Sequence, residues 1–293
     1  MKNRVKTAIF FIILALFTSA CSETEKETRP IIAVTTFSLY DITKHIAGES
    51  VKIVNILPFG VEPHEYEPTP RLIASIEKSA LVLYSGAGLE PWTAGFEFKN
   101  RVINMSEYVS LQTLHQTTAI DPHYWLNFDN MKKATKIITK ELIKILPKNE
   151  VLFLKNEKEY LEMLNSLNES YTNQLKMCKR KTIIVNHNAF GYLSKEYDFH
   201  VESLSGLSPD AEANAKNIIR LIKIIKEHNV STVFFEDFAS DKAIKSVANA
   251  AQTQVDVLKP LGNITADEAS KHLSYEKMML INLDKLSKAL SCH

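Results

Sequence analysis

From Arg29 onward, short β-branched runs alternate with segments whose apolar positions recur at helical spacing. Ile31–Thr35, Val51–Leu57, Leu81–Tyr84 and Val102–Met105 read as four short strands. Between them, Tyr40–Ala47 and Pro70–Lys78 can supply helices, the second opening on a proline where a first helical turn tolerates one. A second set follows the same logic, with Thr182–Asn186, Thr232–Glu236 and Val255–Leu258 as strands. A helix is predicted from Ser208, a capping residue followed by Pro209, Asp210 and Glu212 and then by Ile218, Ile219, Ile222 and Ile225. Such alternation predicts an α/β protein built on parallel sheets.

Two helical patterns separated by Pro147 lie between the sets. Met131, Ala134, Ile138, Leu142 and Ile145 keep a helical period, and Asp129 before them is most simply a helix cap. After Pro147 come Val151, Leu154, Leu161, Leu164, Leu167, Tyr171 and Leu175. No Gly or Pro interrupts Lys148–Lys179, so one helix there would span on the order of 40 Å. The apolar positions run over too few heptads for a coiled coil. The predicted organisation is an N-terminal α/β lobe over 30–147, a rigid linking helix over 148–178 and a C-terminal α/β lobe over 179–293.

The first residues differ in kind. A cationic start through Lys6, an apolar run from Ala8 to Phe17 and small residues Ser19 and Ala20 before Cys21 fit an export signal over 1–20. The run is too short to span a bilayer; an uncleaved anchor or a buried helix is the plainer alternative. Thr18-Ser19-Ala20-Cys21 resembles a bacterial lipobox, with Thr18 where Leu is usual. On that resemblance Cys21 carries a lipid and 21–29 is a solvated tether, which makes the chain a lipoprotein at the periplasmic or outer face of a bacterial membrane.

Composition narrows the function. The chain of 293 residues is 45% hydrophobic and 24% charged, with a formal net charge of +1. Removing Lys2, Arg4 and Lys6 with the signal leaves 32 cations against 34 anions, so no nucleic-acid footprint is present. Cys178 and Cys292 would meet an oxidising compartment; they either pair or stay as buried thiols.

Three of the nine histidines stand in loops rich in turn-forming residues. His64 lies in the segment from Pro58 to Pro68, after the strand ending at Leu57. His123 lies in Asp121-Pro122-His123-Tyr124-Trp125-Leu126, and His187 directly follows the strand ending near Asn186. Ligands of open α/β sheets gather beyond the carboxyl ends of strands, where His64 and His187 fall. Spacings of 59 and 64 residues form no compact zinc-finger signature. Gly86 and Gly88 lack the rest of a dinucleotide fingerprint and read as a turn.

At these same residues the chain resembles the zinc- and manganese-type solute-binding lipoproteins of bacterial ABC transporters. Gly60 to Pro70 looks like the family's first ligand loop, and Leu81 to Trp92 like its next strand and turn. Asp121–Leu126 matches the second ligand segment, and His187 to Tyr192 the third. The resemblance runs from about Ile31 to the C-terminus. It implies two lobes joined by one long helix, with a single zinc ion held in the cleft by His64, His123 and His187 and passed to a membrane permease. It implies a monomer without bond chemistry of its own. A surface adhesin with a structural metal is a further reading.

Three imidazoles suit zinc, whereas manganese prefers oxygen-rich sites. Family members that bind manganese put a carboxylate in place of the third histidine, so His187 argues for zinc over a manganese-binding homologue. One departure is plain. Relatives commonly carry Asp or Glu just before a Pro-Leu-Gly turn, and this chain has Lys259. The fourth position is then water or a nearby carboxylate such as Glu236. Three histidines plus water would also suit a secreted zinc hydrolase, but no His-Glu-x-x-His helix is present. A histidine-rich loop is reduced to His115; His45, His200, His228 and His272 read as structural.

Overall fold

The computed structural model describes residues 29–114, 118–206, 215–238 and 241–293. The signal, Cys21 and the tether up to residue 28 lie outside the described residues, as do His115 and the cap Ser208 with Pro209, Asp210 and Glu212.

Strands β1 (Ile31–Val34), β2 (Lys52–Asn55), β3 (Leu81–Tyr84) and β4 (Val102–Asn104) form a parallel sheet in the order β2-β1-β3-β4. A two-stranded antiparallel hairpin of β5 (Gln112–Thr113) and β6 (Ile120–Asp121) follows. The second sheet holds β7 (Thr182–Val185), β8 (His200–Ser203), β9 (Thr232–Phe235) and β10 (Gln254–Val257) in the order β10-β9-β7-β8, again parallel. Within each lobe the first strand is thus flanked by the second and the third, and the fourth lies outermost. No sequence repeat announces this shared topology. The hairpin and β8 were not anticipated from sequence; two-residue strands and a strand opening on His200 and Glu202 carry too little apolar pattern.

Each sheet is buried on both faces, and its residues divide by the two-residue period of a strand. Ile32, Val34, Leu81, Leu83, Ile183 and Val185 point into one large core that is continuous between the lobes. Ala33 and Val82 face a smaller cluster with Ile56 and Ile76, and Ile184 faces another with Leu221, Val233 and Val247.

Nine helices are described. Those flanking the first sheet are α1 (Phe37–Ala47), α2 (Pro70–Ile76), which Thr69 caps, and α3 (Phe128–Ile145). Asn127 rather than Asp129 caps α3, because its side chain accepts from Asn130 N–H, while Asp129 pairs with Lys132 in the first turn. After a short 3-10 turn at Pro147–Asn149 runs α4 (Glu150–Leu175), whose 26 residues span about 39 Å. Its buried stripe is Phe153, Tyr160, Leu164, Leu167, Tyr171 and Leu175. Val151 and Leu154, expected on that stripe, lie off it and face solvent, because Phe153 sets the phase of the first turn.

The second lobe adds α5 (Gly191–Glu196), α6 (Ala215–Glu227), α7 (Lys242–Ala251), α8 (Ala266–Ser270) and α9 (Tyr275–Leu290). On α6, Leu221 and Ile225 face the core with Ile218 and Ile222 beside them, whereas Ile219 is exposed. The long α4 packs on α1 and α3 along one side and on α9 along the other. Tyr171 fixes the second contact by donating from its hydroxyl to Met279 O at 2.7 Å. Cys178, just beyond α4, forms a disulfide with Cys292 at the end of the chain. No helix among the described residues is long and apolar enough to cross a membrane.

The candidate metal centre

The three histidines come from three different local structures. His64 sits in the loop after β2, where Glu62 turns back so that its Oε2 accepts from His64 N–H at 2.7 Å. His123 follows the hairpin and leads into a 3-10 turn at Tyr124–Leu126. There Asp121 Oδ1 accepts from His123 N–H at 3.0 Å. The two loops share one device: an acid, a proline and a histidine, with the carboxylate two residues back capping the histidine's backbone. His187 instead follows β7, the strand at which the order of the second sheet reverses. This is the position where parallel α/β sheets leave a crevice.

These loops bring the imidazoles together in the cleft between the lobes. One ring nitrogen from each of His64, His123 and His187 lies within 4.8 Å of the others. His123 and His187 face each other through Nε2 atoms 3.3 Å apart. His187 and His123 are 1% and 2% exposed, and His64 is slightly more open.

Two of the rings are backed by carboxylates. Asp121 Oδ1 also accepts from His123 Nδ1 at 2.8 Å, and a carboxylate can only accept, so the proton of His123 is held on Nδ1 and the Nε2 lone pair faces the cleft. Asp121 is fully buried and is held in turn by Gln112 Nε2 at 3.2 Å. Gly191 makes room for this, since a Cβ there would stand 2.8 Å from Asp121 Oδ2. Glu236, beyond β9, lies against His187 Nδ1 with its Oε1; the pair is in contact though out of line for a hydrogen bond. Glu236 thus stands behind His187, on the ring edge opposite Nε2. Carboxylates so placed fix the tautomer and raise the basicity of a ligating imidazole.

Electrostatics keep the His64 and His123 rings neutral. Burial, then the facing His123 and His187, pull the His64 imidazole down to about 2. His123 is also lowered, because burial outweighs the raising effect of Asp121. Neutral imidazoles with converging lone pairs repel one another, and a cation among them removes that repulsion. The enclosed space is small, about 10 Å³, room for roughly one water-sized occupant. Its walls include Pro63, Trp125, Phe238 and Pro260.

The loop bearing His64 is gripped by the chain that follows β10. Asn263 Nδ2 donates to Pro58 O at 2.7 Å and to Val61 O at 2.8 Å, and Gly60 N–H donates to Ile264 O at 2.9 Å. Trp125 Nε1 donates to Pro260 O at 2.6 Å, binding the His123 segment to the same strap. Gly262 lets the strap pass closely, since a Cβ there would meet Pro63 and Trp125 at 3.3 Å.

Other sequence-singled residues fall elsewhere. Lys259 does not enter the histidine cluster; its ammonium is paired with Asp237 and Glu268. His45 bonds Asp41 on α1, His200 opens β8, and His228 and His272 follow helix ends. Trp92 packs with Phe96 and Phe98, while Gly86 and Gly88 take the positive φ of a turn. Sequence reasoning passed over Asp121, Asn263 and the role of Gln112. The repeated acid-Pro-His pattern at Glu62 and Asp121 was the available signal for the first.

Known proteins share this architecture. The chain is 32% identical to the high-affinity zinc uptake system protein ZnuA of Bacillus subtilis, over 98% of this chain and 96% of that one. It is 28% identical to the zinc-binding lipoprotein AdcA of Streptococcus pneumoniae, covering 94% of this chain but 59% of that longer protein. Among solved structures, the periplasmic zinc-binding protein TroA of Treponema pallidum superposes with a TM-score of 0.82 at 25% identity, covering 89% of this chain and 99% of that one. The Zn(II)-bound ZnuA-like domain of AdcA from S. pneumoniae gives 0.78 at 29% identity, with the same coverage. Residues 32–289 match the family model described as zinc-uptake complex component A, periplasmic, and the chain therefore belongs to that family of zinc-binding components of ABC transporters.

Proposed function

We propose that this protein captures one zinc ion outside the cytoplasm through Nε2 of His123, Nε2 of His187 and a ring nitrogen of His64, and hands it to the membrane permease of an ABC importer. The observation that carries this reading is the convergence of three largely enclosed imidazoles on a space the size of one ion. All-imidazole donors favour zinc over manganese. The enclosed site and the family of transport proteins both speak against the hydrolase reading, which needs a substrate cleft. Water completes the fourth position, because Lys259 points into its own ion pairs and Glu236 stands behind His187.

Relatives described as periplasmic proteins and lipoproteins support an exported location. The finer assignments belong to this proposal: an export signal over 1–20, a lipid on Cys21, a tether over 21–29, lobes over 30–147 and 179–293, a linking helix over 148–178, and a monomeric chain. Protein stripped of metal is expected to take up about one zinc with sub-micromolar affinity, measured by competition with a chelating dye. Uptake unchanged in both His64→Ala and His187→Ala would sink the ligand assignment.

A further inference from the structure

Lys259 stands at the end of β10, and its surroundings join two parts of the cleft. Its ammonium lies between Asp237 and Glu268, with Glu268 Oε1 at 2.5 Å. Its backbone is fixed as well: Lys259 N–H donates to Asn282 Oδ1 at 3.1 Å, and Asn282 Nδ2 donates to Lys259 O at 2.7 Å. Asp237 directly follows Glu236, the carboxylate behind His187. Glu268 belongs to α8, where its Oε2 accepts from Thr265 N–H at 2.9 Å. That helix continues the strap which holds the His64 loop through Asn263 and Ile264. One lysine therefore ties the chain behind His187 to the chain that grips His64.

We propose that Lys259 is a positioning residue that sets how fast the bound ion leaves, by latching the Glu236–Asp237 turn to α8 beside the cleft. The inference rests on the three-histidine reading. To free the ion, His187 must part from His64 and His123, and the turn behind His187 must move with it. Asp237 and Lys259 stand at neighbouring strand ends, whereas α8 follows the strap bonded to the His64 loop, so that movement strains the link running from Asp237 through Lys259 to Glu268. The side chains of Lys259 and Glu268 are 17% and 12% exposed, so parting them breaks a half-buried ion pair, which opposes opening. Without the lysine, Asp237 and Glu268 confront each other as like charges, and the same geometry favours opening. A cation held at this point keeps the cleft shut without touching the ion.

The test loads the mature protein with cobalt(II), whose visible spectrum reports its ligands, or with zinc, and mixes it with excess chelator in a stopped-flow instrument. Lys259→Met is expected to speed release by about tenfold or more with an unchanged cobalt spectrum, the rate of uptake moving little. Lys259→Arg keeps the charge and should release near the original rate. Asp237→Asn supplies an independent variant should Lys259→Met fold poorly, and it should also release faster. Release at the original rate from folded Lys259→Met or Asp237→Asn overturns the latch while leaving the histidine site standing. Failure of the unaltered protein to take up either metal overturns both.

Discussion

The carboxylate of Asp121 holds His123 twice, at its backbone nitrogen and at Nδ1, and does so from a position with no solvent exposure. This pairing decides which nitrogen of the ring faces the cleft. Asp121→Asn keeps the shape but can present an amide N–H to Nδ1, which favours the tautomer with its proton on Nε2. Zinc affinity is expected to fall roughly 10–100-fold, measurable by chelator competition, with near-unchanged thermal stability. Unaltered affinity would mean that the tautomer is set by something other than this carboxylate.

The strap offers a second handle. Asn263→Ala removes both donors to Pro58 O and Val61 O; Pro58 O keeps Val61 N–H at 3.3 Å, and each lost hydrogen bond costs about 0.5–1.5 kcal/mol. The His64 loop should loosen: amide exchange between Pro58 and Pro68 should quicken, and zinc should bind about tenfold more weakly. Tight binding with a fast-exchanging loop would show that the grip is not needed to place His64.

Protonation of a distant histidine should show in stability. The hydrogen bond to Asp41, reinforced by the Asp41 and Glu276 charges and opposed by burial, raises the His45 imidazole to about 9 from 6.5. A raised histidine stabilises the fold below its unfolded value and loses that contribution as pH climbs from 6.5 towards 9. With a side chain 47% exposed, the effect is screened to about 1 kcal/mol. Urea unfolding of His45→Gln should therefore show a deficit near pH 6 that closes by pH 9. A deficit constant across that range would assign the effect to packing.

The disulfide between Cys178 and Cys292 closes a separation of 114 residues. The paired change Cys178→Ser with Cys292→Ser should destabilise the protein by about 2–4 kcal/mol through the unfolded chain. Zinc affinity should stay within about twofold, because the bond lies beyond α4 and away from the histidines. Loss of zinc binding in a folded double variant would count against that separation of roles.

Removing the metal should leave a folded protein. The large shared core and the disulfide are built without the site, so circular dichroism of the stripped chain should match that of the loaded one. Zinc at a hundred times its dissociation constant should add about 2.7 kcal/mol. Unfolding on chelation would favour the structural-metal reading of a surface adhesin instead.

Much of this arrangement is legible in the residues. The β-branched runs at Ile31, Leu81 and Thr182 declare strands because strands buried on both faces need no polar interruption. The stretch after Pro147 declares a long helix because nothing in it can stop one. The three histidines are visible as loop residues, yet their meeting is not: separations of 59 and 64 positions carry no geometric information, and only the resemblance grouped them. Asp121 and Asn263 stayed hidden because polar residues beside prolines and glycines read as turn formers. Lys259 was visible as an exception, and its meaning depended on Asp237 and Glu268, which only folding brings to it. Val151 and Leu154 show the opposite limit, since apolar residues at helical spacing can still face water.

The strap also governs the order in which the protein can be completed. The loop of His64 takes its bonds from Asn263, 205 positions later, and Asp41 receives the backbone N–H of Tyr275, 234 positions later. Emerging from a ribosome, the first lobe can pair its own sheet early, but the His64 loop and Asp41 wait for nearly the whole chain before these bonds can close. The loop that carries the first of the three cleft histidines to be made is thus among the last parts to be held in place.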